Sequence, residues 1–257
     1  MKALVGHSGY VGSALLRQQS FDALYRSTDI DQIAGRSFDQ IICTAAPAQK
    51  WIAERDPEAD RANIARLADA ITRAKTDRFV LISTVDVFDN SNGKTELDRD
   101  NAVTTAYGRN RLWLEDRVRE TFPKALIVRL PGLVGPGLRN NAVFDFLNDN
   151  NVSAIDHRAV YQFYPMVNLS ADLATAEKAG IELAHFTAEP MSIGEVAAAF
   201  GIDFTNEIEG RTPARYDLHS VHAAAFGGTG PYLYDKRSSA LAIRAYAQSE
   251  PRSKPIA

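Results

Sequence analysis

Short, continuous apolar runs alternate with longer helical patterns through the first half of the chain. The runs lie at residues 2–5, 23–26, 40–44, 78–83 and 125–129. Unbroken apolar runs of this kind are typical of parallel strands that are covered on both faces. Between the last three runs, apolar residues repeat at helical spacing over residues 59–74 and 104–120. This order predicts an α/β fold with a doubly wound parallel sheet.

Two parts of the chain depart from this regular order. Residues 21–39 have room for the short strand at 23–26, but they show no full-length third strand. After residue 130, glycine and proline residues interrupt the pattern and mark a break. Beyond the break, helices are expected at residues 142–148, 169–179, 194–200 and 238–248.

Composition and charge are those of an ordinary globular protein. Of the 257 residues, 45% are hydrophobic and 24% are charged, and the net charge is -3. Without a long basic run, nothing indicates a nucleic acid or a membrane surface as a partner. A single cysteine, Cys43, excludes an internal disulfide and a multi-cysteine metal site, and no metal is expected. No stretch approaches the roughly 20 apolar residues that cross a bilayer, so we expect a cytoplasmic protein.

A glycine motif follows the first strand and opens the first helix. Gly6, Gly9 and Gly12 form the pattern G-x-x-G-x-x-G. The first glycine permits a tight turn, the second lets the backbone approach a pyrophosphate, and the third lets the helix pack on the strand. The helix N-terminus offers unpaired N–H groups to the phosphates. The motif predicts a dinucleotide site of the Rossmann type that includes Gly6, Ser8, Gly9, Tyr10, Val11 and Gly12.

The break at residue 130 then divides the chain into two predicted domains. Residues 1–130 form the Rossmann-type NAD(P)-binding domain. Residues 131–257 form mainly a small C-terminal substrate-covering region, because they are too irregular for a second nucleotide-binding unit. The helix near residues 169–180 is expected to return to the core of the first domain.

The end of the second strand bears on the choice of cofactor. An acidic residue at this place would bind the ribose 2′-hydroxyl of NAD. Here Arg26 occupies it, and no acid precedes Asp29. A guanidinium pairs well with a 2′-phosphate. The predicted cofactor is therefore NADP or NAD, with NADP favoured.

Several further motifs occur together with the glycine turn. They are the small-residue segment 44–47 (TAAP), Asp60 and Asn63 on the following helix, the segment 83–88 (STVDVF), Tyr107 followed by Arg111, and the segment 129–137 (RLPGLVGPG). Together they resemble the extended short-chain dehydrogenase/reductase family, nearest in motif to its dehydrorhamnose reductases. The family also includes nucleotide-sugar epimerases and dehydratases. The resemblance covers most of the chain.

This resemblance implies roles for individual residues. Thr84 would hydrogen-bond the reacting oxygen, and Tyr107 would exchange a proton with it. A phenol, whose ordinary pKa is about 10, needs a nearby positive charge for this work. Lys50 and Trp51 are candidates for the edge of the cofactor site, although Trp51 could equally close a hydrophobic contact. The resemblance extends the cofactor site to Ala45, Ala46, Pro47, Tyr107, Arg111, Pro131 and Gly132.

The chain departs from the family pattern at position 111. The family places a lysine four residues after the tyrosine, whereas this chain has Arg111. Two interpretations follow, because arginine keeps the charge but is larger and planar. Either Arg111 performs the role of the lysine in altered geometry, or the chain is a catalytically inactive NAD(P)-binding regulator or sensor. A scaffold with an empty site is a third alternative.

The substrate side is less specific. Asp86 is expected to face the substrate, but Thr84-Val85-Asp86 lacks the first acid of the Thr-Asp-Glu segment of the family's dehydratases. Arg211 and Arg215 lie near a glycine-rich turn and could hold a diphosphate. The predicted function is an NAD(P)-dependent oxidoreductase or epimerase that acts on a hydroxyl or carbonyl carbon of a sugar nucleotide or related small molecule. By analogy, the helices at 59–74 and 104–120 would pair in a homodimer.

Overall fold

The structure is a computed structural model that describes residues 1–100 and 102–252. The chain divides into two compact units. The first contains residues 1–89, 96–130 and 170–185, and the second contains residues 90–95, 131–169 and those from 186 onward. Of the predicted C-terminal region, residues 253–257 lie outside the described residues.

The helices and strands follow in chain order. Those up to residue 130 are β1 (Lys2–Val5), α1 (Tyr10–Gln18), β2 (Ala23–Tyr25), β3 (Ser37–Phe38), β4 (Gln40–Cys43), α2 (Lys50–Arg55), α3 (Pro57–Thr72), β5 (Lys75–Thr76), β6 (Phe79–Thr84), α4 (Ala106–Thr121) and β7 (Leu126–Leu130). Those that follow are β8 (Gly132–Val134), α5 (Ala142–Asn148), β9 (Val160–Tyr161), β10 (Phe163–Pro165), α6 (Leu169–Lys178), β11 (Leu183–His185), β12 (Met191–Ser192), α7 (Ile193–Ala199) and α8 (Lys236–Ser249).

The first unit is built on a parallel sheet of six strands. Their order is β11-β7-β6-β4-β1-β2. Strands β4 and β7 are buried along their whole length, which explains why they are apolar without alternation. Helix α3 packs against α4, and the backbone N–H of Ser170 in α6 donates to the Gln18 side chain of α1. The predicted α/β fold with a doubly wound parallel sheet is confirmed.

The sheet ends at the second strand of the chain. After β2, the backbone forms a 3-10 turn at Ile30–Ile33 and then β3, which pairs with β5 rather than with β2. The expectation that residues 21–39 hold no full-length third strand is therefore confirmed. Strand β2 ends at Tyr25, one residue earlier than expected, so Arg26 lies just beyond it.

A buried ion pair joins α4 to the sheet. The Glu115 carboxylate accepts from Nε of Arg129 at 3.0 Å and from Nη2 at 2.7 Å, and both side chains are almost completely buried. The Ser83 hydroxyl on β6 also donates to Glu115, at 2.6 Å. On the other side of β7, His185 lies in register with Arg129 and its Nε2 is 3.3 Å from Nη1. Since an unpaired buried charge is costly, this cluster fixes the position of α4 against the strands.

The second unit contains two small sheets and three helices among the described residues. Strand β8 pairs in parallel with β10, and β9 pairs in antiparallel fashion with β12. Helix α5 occupies the predicted residues 142–148, and α7 begins with the capping box of Ser192 and Glu195. Within the described part of the chain, no helix is long and apolar enough to cross a membrane.

Replacing Glu115 with alanine should lower the free energy of unfolding by about 3–5 kcal/mol, because Arg129 would keep a buried charge without its anionic partner. Urea unfolding followed by circular dichroism measures the change. The matched control is Glu120→Ala near the end of the same helix, where the carboxylate pairs with Arg117 at the surface. That variant should lose less than about 1 kcal/mol. Equal losses would contradict the structural role of the buried pair.

Candidate functional site

The chain's own packing requires glycine at two positions of the turn between β1 and α1. Gly6 has a φ of +89°, and a Cβ there would lie 2.8 Å from the backbone of Ala45. A Cβ at Gly12 would lie 2.2 Å from the carbonyl oxygen of Gly6. Both approaches are too close for a side chain. These two glycines therefore set the shape of the turn.

Packing does not account for the glycine at position 9. Gly9 has an ordinary φ of -75°, and the nearest atom to a Cβ there would be the Gly6 oxygen at 3.4 Å. Gly9 also caps α1 without a side-chain hydrogen bond, and the first turn of this helix contains no acidic residue. The N-terminus of α1 thus keeps its partial positive charge, beside an exposed backbone at Ser8 and Gly9. This arrangement fits an anionic group that approaches the backbone closely.

Thr44 joins the glycine turn to the segment after β4. Its hydroxyl donates to the carbonyl oxygens of Val5 at 3.0 Å and Gly6 at 3.2 Å. Thr44 belongs to the motif of residues 44–47, but the motif did not predict a role for it in the site. Its role could have been inferred from its position, because a hydroxyl side chain follows β4 and β4 lies beside β1 in the sheet.

Arg26 lies at the end of β2, next to the same turn. The N–H of Gly6 donates to the carbonyl of Tyr25 at 2.8 Å, so β2 ends beside the start of the glycine motif. The Arg26 side chain is 57% exposed, and its Nε lies 3.6 Å from an oxygen of Asp29. The guanidinium is therefore accessible from solution at the place where the sequence predicts a 2′-phosphate.

Thr84 and Tyr107 come together at the end of β6. The Thr84 hydroxyl lies beside the Tyr107 phenol, and it also accepts from the N–H of Asp86 at 3.1 Å. Tyr107 lies in the first turn of α4 and is buried. The carboxylate of Glu54 on α2, which the sequence analysis did not identify, accepts from the N–H of Tyr107 at 2.9 Å. It therefore holds the start of this helix.

Arg111 lies one turn further along α4, against the Tyr107 ring. The guanidinium carbon is 3.9 Å from the ring centroid. Its Nη1 donates to Oδ2 of Asp60 at 2.5 Å, and its Nη2 donates to the carbonyl of Pro47 at 2.6 Å. Within the described part of the chain, Nε of Arg111 is buried without a hydrogen-bond partner. Arg111 thus connects α3, α4 and the segment after β4, and it still has one donor to offer.

Burial governs the acidity of the phenol. Loss of contact with water raises the pKa of Tyr107 above its ordinary value, and the positive charge of Arg111 opposes this only in part. The negative charge of Asp86 also raises this pKa, whereas the nearby hydroxyl of Thr84 lowers it. The phenol consequently keeps its proton at neutral pH.

Two charged side chains flank this centre. Nζ of Lys50 lies 3.0 Å from Oδ1 of Asp86, and both side chains are partly exposed. Trp51, the neighbour of Lys50, is 60% exposed and stacks under Arg55. Both interpretations of Trp51, an edge of the cofactor site and a hydrophobic contact, stay predictions. Within the described residues, no group of three or more His, Cys, Asp or Glu side chains could hold a metal ion.

The remaining residues of the predicted site belong to the second unit. A Cβ at Gly132 would lie 2.7 Å from the carbonyl oxygen of Gln162, so the pairing of β8 with β10 explains this glycine. Pro131 immediately precedes β8. Arg211 and Arg215 are both exposed, and Arg211 lines an open cavity of about 420 Å³. Their roles stay predictions.

The chain also matches a known protein family. Residues 2–155, more than half of the chain, match the family described as RmlD substrate binding domain. The chain belongs to this family. The predicted resemblance to the extended short-chain dehydrogenase/reductases, which include dehydrorhamnose reductases, is thereby confirmed.

Solved structures of several enzymes share the fold of this family member. A dTDP-4-dehydrorhamnose reductase from Clostridium acetobutylicum is 20% identical, with 96% of this chain and 99% of that chain covered and a TM-score of 0.71. One from Bacillus anthracis, in complex with NADP, is 16% identical, with 97% and 99% covered and a TM-score of 0.71. A UDP-galactose 4-epimerase is 16% identical, with 96% and 98% covered and a TM-score of 0.74. Other relatives carry NAD. No curated protein matches the chain.

Gly9 and Gly12 of the turn should respond differently to a methyl group. Gly12→Ala should lower the free energy of unfolding by about 1–3 kcal/mol or more, because the new Cβ collides with the backbone of Gly6. Gly9→Ala should change it by less than about 1 kcal/mol, since both the space and the backbone angle accept alanine. Chemical unfolding of the two variants measures the difference. Equal destabilisation would contradict the distinction between packing glycines and an exposed one.

Proposed function

We propose that this member of the RmlD family is an NAD(P)-dependent oxidoreductase that reduces a carbonyl carbon, with epimerisation as the second candidate. The observation that carries the proposal is the juxtaposition of Thr84, Tyr107 and Arg111 in the unit that contains the glycine turn. The activities of the relatives with the same fold agree with it. The substrate that we propose is a sugar nucleotide or a related small molecule.

The residues of the first unit fit a dinucleotide. Gly9 leaves backbone free for a pyrophosphate, and the uncapped N-terminus of α1 supplies a favourable field. The orphaned Nε of Arg111 needs an acceptor, which a ribose hydroxyl would provide. When bound, the nicotinamide supplies hydride chemistry. Ala45, Ala46 and Pro47 would form a wall of the cofactor site.

In this proposal the chain's own residues orient the substrate and supply the proton. Thr84 and Tyr107 would both hydrogen-bond the carbonyl oxygen. Tyr107 would donate its proton to that oxygen as negative charge develops there. Because burial raises the pKa of this phenol, it remains a proton donor at neutral pH. The charge of Arg111 would stabilise the phenolate that is left behind.

The inactive alternative is less well supported by this geometry. The solved structures with the same fold include reductases and an epimerase, which favours an active enzyme. Arg111 is held in this position by two strong hydrogen bonds. We infer that arginine here serves catalysis in altered geometry.

On the substrate side, we propose that Asp86 contacts the reacting sugar and that Arg211 and Arg215 bind a diphosphate. The charge and exposure of the two arginines support this assignment. The pairing of α3 and α4 in a homodimer stays a prediction.

Tyr107→Phe should reduce turnover by about 10²- to 10⁴-fold, the usual contribution of a general acid, while the dissociation constant for the dinucleotide changes little. Steady-state kinetics and calorimetry measure the two quantities. The wild-type rate of reduction should be highest below the pKa of the phenol and fall as the pH rises through it. Tyr246→Phe is the control, because that buried hydroxyl bonds Leu138 in the second unit. Undiminished turnover of Tyr107→Phe would overturn the assignment.

Arg26→Ala should weaken NADPH binding by about 10- to 100-fold, because a charged hydrogen bond to the 2′-phosphate is lost. NADH binding should be nearly unchanged. Calorimetric titration with both cofactors measures the preference, and Arg66→Ala, at a similarly exposed arginine of α3, is the control. A wild-type preference for NADH would leave the dinucleotide site in place but contradict the role of Arg26.

A further inference from the structure

A buried carboxylate on the neighbouring helix pairs with Arg111. Asp60 lies near the start of α3, and its side chain is only 5% exposed. Its Oδ2 accepts two hydrogen bonds from α4, one from Nη1 of Arg111 and one from Nδ2 of Asn110 at 2.7 Å. Among the described residues, Asp60 is the carboxylate that forms a salt bridge with Arg111. The buried charge of Arg111 therefore depends on Asp60 for compensation.

The pairing also fixes the orientation of the guanidinium. One terminal nitrogen of Arg111 binds Asp60, and the other binds the carbonyl of Pro47. Two hydrogen bonds from a planar, rigid group determine the plane in which it lies. That plane places the guanidinium carbon 3.9 Å from the Tyr107 ring centroid. A single ammonium group could not make both contacts in the same fixed geometry.

We propose that Asp60 is a positioning residue of the active site, which holds the Arg111 guanidinium against the Tyr107 ring and balances its charge. The inference rests on the proposed role of Tyr107 as proton donor. Asp60 acts through Arg111 and need not touch the substrate or the cofactor. No motif of the sequence assigns it this role, because the contact joins two helices.

The balance of charges around Tyr107 follows from this arrangement. Arg111 lowers the pKa of the phenol, and Asp60 and Asp86 raise it. Removing the charge of Asp60 would expose the phenol to the uncompensated charge of Arg111. The pKa of Tyr107 should therefore fall when Asp60 is neutralised.

The test is Asp60→Asn, which removes the charge and keeps the size of the side chain. Protein labelled with ¹³C at the tyrosine ζ-carbons is titrated by NMR without cofactor, and the Tyr107 signal is assigned by its absence from Tyr107→Phe. We expect the phenol of Asp60→Asn to titrate at lower pH than that of the wild type. The pH profile of turnover should shift in the same direction, and kcat should fall by about 10- to 100-fold.

The matched control is Asp69→Asn, at an exposed carboxylate on the same helix that pairs with Arg73. It should leave both the titration of Tyr107 and turnover unchanged. If the buried unpaired charge prevents Asp60→Asn from folding, the double variant Asp60→Asn/Arg111→Gln removes both charges. Its phenol should titrate at lower pH than that of Arg111→Gln alone, because the effect of Asp60, which raises this pKa, is then also lost.

The outcomes separate this inference from the proposed function. An unchanged titration of Tyr107 in Asp60→Asn overturns the role of Asp60 even if the enzyme turns over. Where that variant does not fold, equal titration of Tyr107 in the double variant and in Arg111→Gln does the same. A shifted titration in a protein that reduces no carbonyl substrate would support the role of Asp60 and overturn the proposed function instead.

Discussion

Helix α4 buries two oppositely charged side chains, Arg111 and Glu115, which lie one turn apart. A partner of opposite charge must offset each of them, because the cost of burying an unpaired ion amounts to several kcal/mol. Asp60 on α3 satisfies the first, and Arg129 on β7 satisfies the second. The helix is thereby fixed to a neighbouring helix and to the sheet at once. The position of Tyr107, at the start of the same helix, depends on both pairs.

The glycine turn and the phenol are parts of one connected structure. Thr44 bonds the glycine turn, and Pro47, three residues later, bonds Arg111. The short segment after β4 therefore contacts both the region that fits a pyrophosphate and the region that fits a reacting carbonyl. A cofactor that spans these two regions would meet surfaces already held in register by the chain itself. Such preorganisation lowers the cost of ordering the site when a ligand binds.

Local patterns in the sequence were sufficient to predict most of this arrangement. Continuous apolar runs located the strands, and the spacing of three glycines located the turn. The four-residue step from Tyr107 to Arg111 placed a cation on the face of the phenol. The partners of these residues could not be predicted in the same way, because Asp60 precedes Arg111 by 51 positions and Glu54 precedes Tyr107 by 53. Contacts over such separations leave no periodicity, and only the packing of α2, α3 and α4 reveals them.

The discontinuity of the first unit has a consequence for the order in which the chain is synthesised. Residues 131–168 separate β7 from α6 and from β11, the strand that completes the sheet. On the ribosome, β7 is therefore an open edge until β11 has emerged. By then Glu115 and Arg129 can already pair, whereas His185 arrives last. The first unit can fold completely only after β11 is synthesised, because domains generally fold as units. The edge of β7 therefore stays unpaired while the intervening segment is made.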